Sequence, residues 1–349
     1  MMHFPTLKVL LASACSIAVA TPTLYSAAHA ASLPLPARTI FQLDSTIPYS
    51  WFENIAIRGN GDLLVTMLSP QASIYSVQRP LSDSPKVSII NIDNANGLLG
   101  IVETSPDVFA VAGGTFSSLA VPVPGTMGIW EVNFRGAKPT TRVIAKIPEA
   151  GFLNGVTNVP GSLSSAILVA DNGISQVWRV DLKTGKYEAA AADVPQMKPL
   201  PNATLAIGVN GLKTRGGDLY FSNSNLASVF RLPIDKNGFA AQGAEASLVA
   251  KFDADNIDDF LIDEKGEYWA ATNFENTVAV AKIHSTGVVV AGTTTTLTVA
   301  GDTALAIGRT KSDKDIIYVV TGGALNRPVN GTITEPAKIV AINRAGFIG

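Results

Sequence analysis

Apolar residues along the chain gather in runs of four to six, rich in β-branched and aromatic side chains, such as Asp62-Leu-Leu-Val-Thr66 and Ser73-Ile-Tyr-Ser-Val77. Turn-forming Gly, Asn and Asp residues separate the runs, and no window sustains the three-to-four spacing of an amphipathic helix. The pattern predicts many short strands joined by tight turns. It also repeats: six segments open on a polar or small residue, run through a first strand, and continue through a turn into a second and third.

The openers are Glu53, Leu99, Asn154, Asn210, Asp258 and Thr303, at intervals of 46, 55, 56, 48 and 45 residues. A period of this size marks a repeat architecture in which each unit buries its faces against its neighbours. Six units of about four strands predict an all-β fold, a six-bladed propeller of four-stranded antiparallel blades. Thr39-Ile-Phe-Gln-Leu43 has a strand pattern but no partner nearby in sequence, so it is expected to supply the outer strand of blade six and close the ring. Leu33-Pro34-Leu35-Pro36 is expected to be an extended tail, because proline cannot donate to a sheet ladder.

Residues 1–30 have the form of a targeting segment. A weakly basic start with His3 and Lys8 leads into the apolar stretch Val9–Ala20 and a small-residue exit, Ala28-His29-Ala30. This predicts cleavage before Ala31 and a mature protein that is secreted or in the lumen of the secretory pathway. The expected organisation is a signal peptide over 1–30, a tail over 31–38 and one propeller over 39–349. No later apolar run reaches the length of a membrane span. Cleavage removes the one cysteine, Cys15, and leaves His284 as the sole histidine, which excludes disulfides, thiolate catalysis and clustered-histidine metal sites. It also leaves 25 basic against 28 acidic residues, a net charge of −3 that gives no footprint for nucleic acid. The sequons at Asn202 and Asn330 are candidate glycosylation sites on surface loops.

First strands line the channel of a propeller, so the six openers are expected to converge near the axis. Glu53, Asn154, Asn210 and Asp258 then present two carboxyls and two amides, a set suited to a hard cation such as Ca²⁺. Without a cation the two carboxyls repel each other and one is expected to keep its proton. The residues that follow the openers are small or polar (Asn54, Gly100, Gly155, Gly211, Asp259, Ala304), as a crowded axis requires.

With these residues the chain resembles the SMP-30/gluconolactonase/LRE-like family of six-bladed propellers over about residues 45 to 345. The resemblance rests on Phe52-Glu53, Asn154-Gly155, Val209-Asn210-Gly211-Leu212, and Ile257-Asp258 followed by Leu261-Ile262-Asp263, Gly266 and Trp269. It implies that Glu53, Asn154, Asn210 and Asp258 hold a divalent metal that polarises a lactone carbonyl. Asn54-Ile55 stands where lactonases usually carry Gly-Pro, and Asp259 where they carry Gly. The wording Trp51-Phe52-Glu53-Asn54-Ile55-Ala56 is similar to a divergent fungal branch, the hetero-Diels-Alderases of tropolone sesquiterpenoid biosynthesis. These join a tropolone-type o-quinone methide to a terpene alkene.

Around the openers, Trp51, Phe52, Phe116, Phe152 and Phe274 adjoin funnel strands and are candidates for the apolar wall of a pocket. Asp171, Asn223 and Asn273 end second strands at the expected funnel mouth and are candidate substrate contacts, as is Asn172. Trp130 and Trp178 are read as packing between blades, and His284 as a loop residue. Three functions fit these residues. The first is a cycloaddition that needs no cofactor, in which Asn154, Asn210 and Asp258 act on small apolar and tropolone-like reactants. The others are a Ca²⁺-dependent lactonase or esterase and a propeller that only carries a ligand.

Overall fold

A computed structural model describes residues 31–161 and 165–347, so the predicted signal peptide lies outside the described residues. Strands Trp51–Ile57, Leu63–Ser69, Ser73–Gln78 and Lys86–Asn91 form the first of six blades, each built on four antiparallel strands, with the short Ser285–Thr286 added in parallel to the edge of the fourth. The second is Gly97–Ser105, Val108–Gly114, Gly128–Asn133 and Thr140–Lys146. The third to fifth begin at Leu153–Asn158, Val209–Arg215 and Phe260–Ile262. The sixth combines Asp302–Ile307, Ile316–Thr321 and Lys338–Asn343 with Ala37–Gln42 from the other end of the chain. The ring thus closes as expected, with Ala37 opposite Ile342 and Gln42 opposite Lys338. The tail before this strand is not free: Leu35 donates its N–H to Val290 O and is buried among Trp269, Val290 and Val340 of blades five and six. The helical residues described are two three-residue 3₁₀ turns, Pro195–Met197 and Asn273–Glu275.

The core is divided among the blade interfaces. In the second strand of blade one, Leu63, Val65 and Met67 pack with Tyr318 and Val320 of blade six, while Leu64 packs with Phe109 and Trp130 of blade two. Successive strand residues point to opposite faces, and both faces are covered, so these strands read as continuous apolar runs. The same division holds between blades two and three, three and four, four and five, and five and six. Trp130 and Trp178 lie in these interfaces, as expected.

Stacked sheets leave the axis for other residues, and the backbone there has a repeated irregularity. In the first strand of each blade the ladder skips at the opener: Phe52 pairs with Met67 and Asn54 with Thr66, which leaves Glu53 as the extra residue. Asn154 and Gly155 fall in the skip between Leu153 and Val156, and Asn210 and Gly211 in that between Val209 and Leu212. Leu99 and Thr303 occupy the matching places in blades two and six. In blade five Asp258 and Asp259 both pair with Ala271. Such a β-bulge bends its strand and re-aims a side chain, here toward the axis.

Glycine follows the opener where blades come closest. A Cβ on Gly155 would sit 2.5 Å from Asn210 O, and one on Gly100 2.4 Å from Asn154 O. At Gly211 the would-be Cβ falls 2.2 Å from an oxygen of Asp259, the side chain that fills the axis below.

Candidate functional site

Four openers meet at one cavity. Glu53, Asn154, Asn210 and Asp258 line a space of about 370 Å³ at one end of the channel, together with Trp51, Phe152, Asn273 and Phe274. Leu99 and Thr303 do not: Leu99 is buried between blades two and three, and Thr303 donates its hydroxyl to Phe52 O at 2.8 Å.

The polar base is held by a few short contacts. Trp51 Nε1 donates to Glu53 Oε2 at 2.5 Å. Asn210 Nδ2 donates to Asp258 Oδ1 at 2.8 Å and to Ser224 Oγ at 2.9 Å, and Asn273 Nδ2 reaches Asp258 Oδ2 at 3.1 Å. The Oδ1 of Asn210 is buried without a partner among the described residues, and so is the Nδ2 of Asn172, which also lines the cavity. Below this layer Asp259 accepts from Lys213 Nζ at 2.7 Å and from Asn54 Nδ2 at 3.0 Å, a charged crossbar between blades four, five and one. Burial raises the Glu53 carboxyl to about 7, with the charge of Asp259 adding to the rise and the Trp51 indole N–H opposing it. Burial also raises Asp258 well above the ordinary carboxylate range, reinforced by Glu53. The lining residues include no lysine, arginine or histidine.

Other predicted contacts stand elsewhere, for reasons of local geometry. Phe52 points to the opposite face of its strand from Trp51 and Glu53, where it meets Tyr75 edge-on at 5.0 Å. Phe116 stands one layer back, its ring 5.7 Å from that of Phe152, which does line the cavity. Asp171 is fully buried and accepts from the backbone N–H groups of Gly151, Phe152 and Gly173 and from Trp178 Nε1, so it anchors a turn. Asn223 is likewise buried, its amide donating to the carbonyls of Gln196 and Lys198. His284 occupies an exposed turn with φ 58°.

The structure adds lining residues that strand patterns do not announce. Leu205, Ala206 and Ile207 come from the long connection into blade four, Ala120 and Pro122 from an inserted hairpin of blade two, and Asn326 from a blade-six loop. The mouth loops are tied together. Arg327 bridges Asp255 at 2.8 Å and Glu275 at 3.2 Å and stands 4.8 Å from the ring centre of Phe274.

The chain is 32% identical over 350 residues to a provisionally named hetero-Diels-Alderase, asR5, of Sarocladium schorii, covering 91% of this chain and 86% of the relative. A second provisionally named hetero-Diels-Alderase, from a Phoma species, is also 32% identical, covering 85% of this chain and 89% of its own. The chain belongs to this hetero-Diels-Alderase family. No family model matches it. Among solved structures, a luciferin-regenerating enzyme superposes with a TM-score of 0.61 at 13% identity, covering 88% of this chain and 95% of its own. A calcium-binding regucalcin from Agrobacterium tumefaciens gives 0.57 at 15% identity, covering 90% and 96%. These two likenesses confirm the propeller and speak to fold alone.

Within the family's fold, the bonding at the cavity base bears on the cation expected from the ligand types. Three of the four oxygens of Glu53 and Asp258 already accept N–H donors. Among the described residues no group of three or more His, Cys, Asp or Glu side chains is placed to hold a metal ion. A Ca²⁺ site wants six to eight converging oxygens. As arranged, the four side chains alone do not supply that number, so a Ca²⁺ ion here would need water or a reactant to complete its shell.

Proposed function

We propose that the protein catalyses an intermolecular hetero-Diels-Alder addition of an o-quinone methide to a terpene alkene, holding both reactants in this cavity. The observation that supports it is the pairing of an apolar wall, from Trp51, Phe152, Phe274 and the Leu205–Ile207 segment, with a base of amides and proton-holding carboxyls. A concerted cycloaddition needs neither nucleophile nor proton relay. It gains from fixing two reactants in near-attack geometry, where effective molarities are very large.

The heterodiene oxygen gains negative charge in the transition state, so it wants a hydrogen-bond donor. Asn154 suits that role, because it brings a carboxamide to the cavity lining. A protonated Glu53 supplies a second donor at neutral pH and below. Both Nδ2 hydrogens of Asn210 are engaged, which leaves it to accept, and Asp258 serves to hold Asn210 and Asn273 in place. On this reading no metal is required, and a chelator leaves the rate unchanged.

The deciding experiment supplies purified protein with both reactants. We expect a faster reaction and one dominant stereoisomer; product at the uncatalysed rate with uncatalysed stereochemistry overturns the reading and makes lactone hydrolysis the next reaction to assay. We further propose secretion, with a mature N-terminus at Ala31 and glycans at Asn202 and Asn330, which both occupy exposed turns. Mass spectrometry of the exported protein checks all three.

A further inference from the structure

Two polar atoms at the cavity have no partner within the described protein, and they have opposite character. Asn172 Nδ2 is a donor from blade three and Asn210 Oδ1 an acceptor from blade four. Asn172 is 5% exposed and Asn210 3%, so neither amide is an ordinary surface group. Leaving a buried polar group unpaired costs about 1–3 kcal/mol, and native interiors avoid it unless something else fills the role.

The two orphans stand on segments that are held in different ways. The backbone N–H of Asn172 is bound to Phe152 O, and the turn beside it is clamped by the four N–H groups that converge on Asp171. Asn210 is held through its other amide atom, which donates to Ser224 Oγ and Asp258 Oδ1. As arranged, the cavity presents a donor at Asn172 and an acceptor at Asn210. A ligand that satisfies both must accept at one point and donate at the other. The absence of any basic lining residue and the presence of two carboxyls disfavour an anion.

We propose that Asn172 Nδ2 and Asn210 Oδ1 are the two poles that read the polar reactant, the first donating to a carbonyl oxygen and the second accepting from a neighbouring hydroxyl. This rests on the reading that the cavity takes a small oxygenated ring. Asn172 is thereby a specificity-determining residue that holds the carbonyl, next to Asn154. Selection falls on the neutral, protonated form of such a ring and against its enolate or a carboxylate.

Binding alone tests this, without turnover. The probes are maltol, a neutral ring with adjacent carbonyl and hydroxyl, and its O-methyl ether, which keeps the carbonyl but cannot donate. Affinity is measured by titration calorimetry in mildly acidic buffer. The wild-type protein is expected to prefer maltol about tenfold, the worth of one hydrogen bond. Asn210→Ala removes that preference, whereas Asn172→Ala weakens both probes by a similar factor, about tenfold. Ligand-free Asn172→Ala melts no lower than wild type, because an unsatisfied donor has been removed; a purely structural asparagine would give the opposite sign. Equal binding of the two wild-type probes, no binding of either, unchanged affinity in Asn172→Ala, or a lowered melting point for that variant each overturns the proposal. If the binding pattern holds while no cycloaddition is seen, the proposed reaction fails and the recognition stands.

Discussion

Glu53 shows how one residue's burial becomes a measurable property. Its carboxyl rises from 4.5 to about 7 on folding, so the folded state favours the protonated form. The sign follows from linkage: no penalty exists below pH 4.5, and stability falls as pH rises toward about 7, where the buried group must ionise. Glu53→Gln keeps an acceptor for the Trp51 indole and removes the penalty. It is expected to raise the melting temperature at pH 8 and leave it nearly unchanged at pH 4, as scanning calorimetry at both values would show. For the proposed reaction, Asn154→Ala is expected to slow turnover about a hundredfold, the usual cost of one transition-state donor. Glu53→Gln, which still offers an N–H, should slow it less than tenfold, and a matched pair of rate measurements tells them apart. Phe116→Ala has a different signature from Phe152→Ala. Phe116 is buried and supports Phe152 from behind, so its loss should cost about 3 kcal/mol of stability and disturb stereoselectivity indirectly. His284→Ala should alter neither.

Among elements, the bulged first strands and the mouth loops divide the labour. The bulges aim the openers, and their glycines let one blade's backbone pass another's. Gly155→Ala would place a Cβ 2.5 Å from Asn210 O and 2.8 Å from Gly211 Cα, both backbone atoms with no room to yield. The expected cost is about 1–3 kcal/mol, read from denaturant midpoints, with a loss of ligand affinity because Asn154 and Asn210 shift together. The mouth is held by Arg327, which gathers three loops, each carrying at least one lining residue: Asn256, Asn273 with Phe274, and Asn326. Its side chain is half exposed, so each ion pair is worth little, yet removing all three contacts frees the loops together. Arg327→Gln is expected to speed amide hydrogen exchange in residues 253–257 and 273–276 and around 322–337, with the blade strands unchanged. Unaltered exchange there would show that the loops hold themselves.

The whole ring depends on its closure. Ala37–Gln42 completes blade six from the opposite end of the chain, and Leu35 fills the interface between blades five and six. Every blade interface carries its own apolar cluster, and this segment contributes to two of them: Ile40, Phe41 and Leu43 to the one between blades six and one, Leu35 and Ala37 to the one between blades five and six. A protein beginning after Leu43 is expected to melt at least 10 °C lower, on the order of a few kcal/mol for a chain of this size, and to aggregate on heating. Circular dichroism melts of the two lengths measure this.

How much of this was legible beforehand depends on the range of the interactions. Strand runs, the repeat period and the closing strand are written locally, because alternation, turn residues and an unpartnered strand pattern are properties of short segments. The same period placed Glu53, Asn154, Asn210 and Asp258 at equivalent positions, so their shared cavity was predictable from the repeat. Trp51, Phe152, Asn273 and Phe274 followed from adjacency to those strands. Phe52 and Phe116 did not, since a bulge resets which neighbour faces the axis and one aromatic layer hides another. Asp171 and Asn223 resemble site residues in one dimension and turn out to be satisfied largely by backbone groups of neighbouring connections, Gly151 and Phe152 for the first and Gln196 and Lys198 for the second. Likewise, only the tertiary structure shows which amides are engaged and which are left open. Hydrogen-bond satisfaction is settled by atoms from other blades, such as Asp258 on Asn210, and no stretch of sequence contains both partners. The sequence determined the ring and the four residues at its centre. The fold decided which atoms of those residues remain free to meet a ligand.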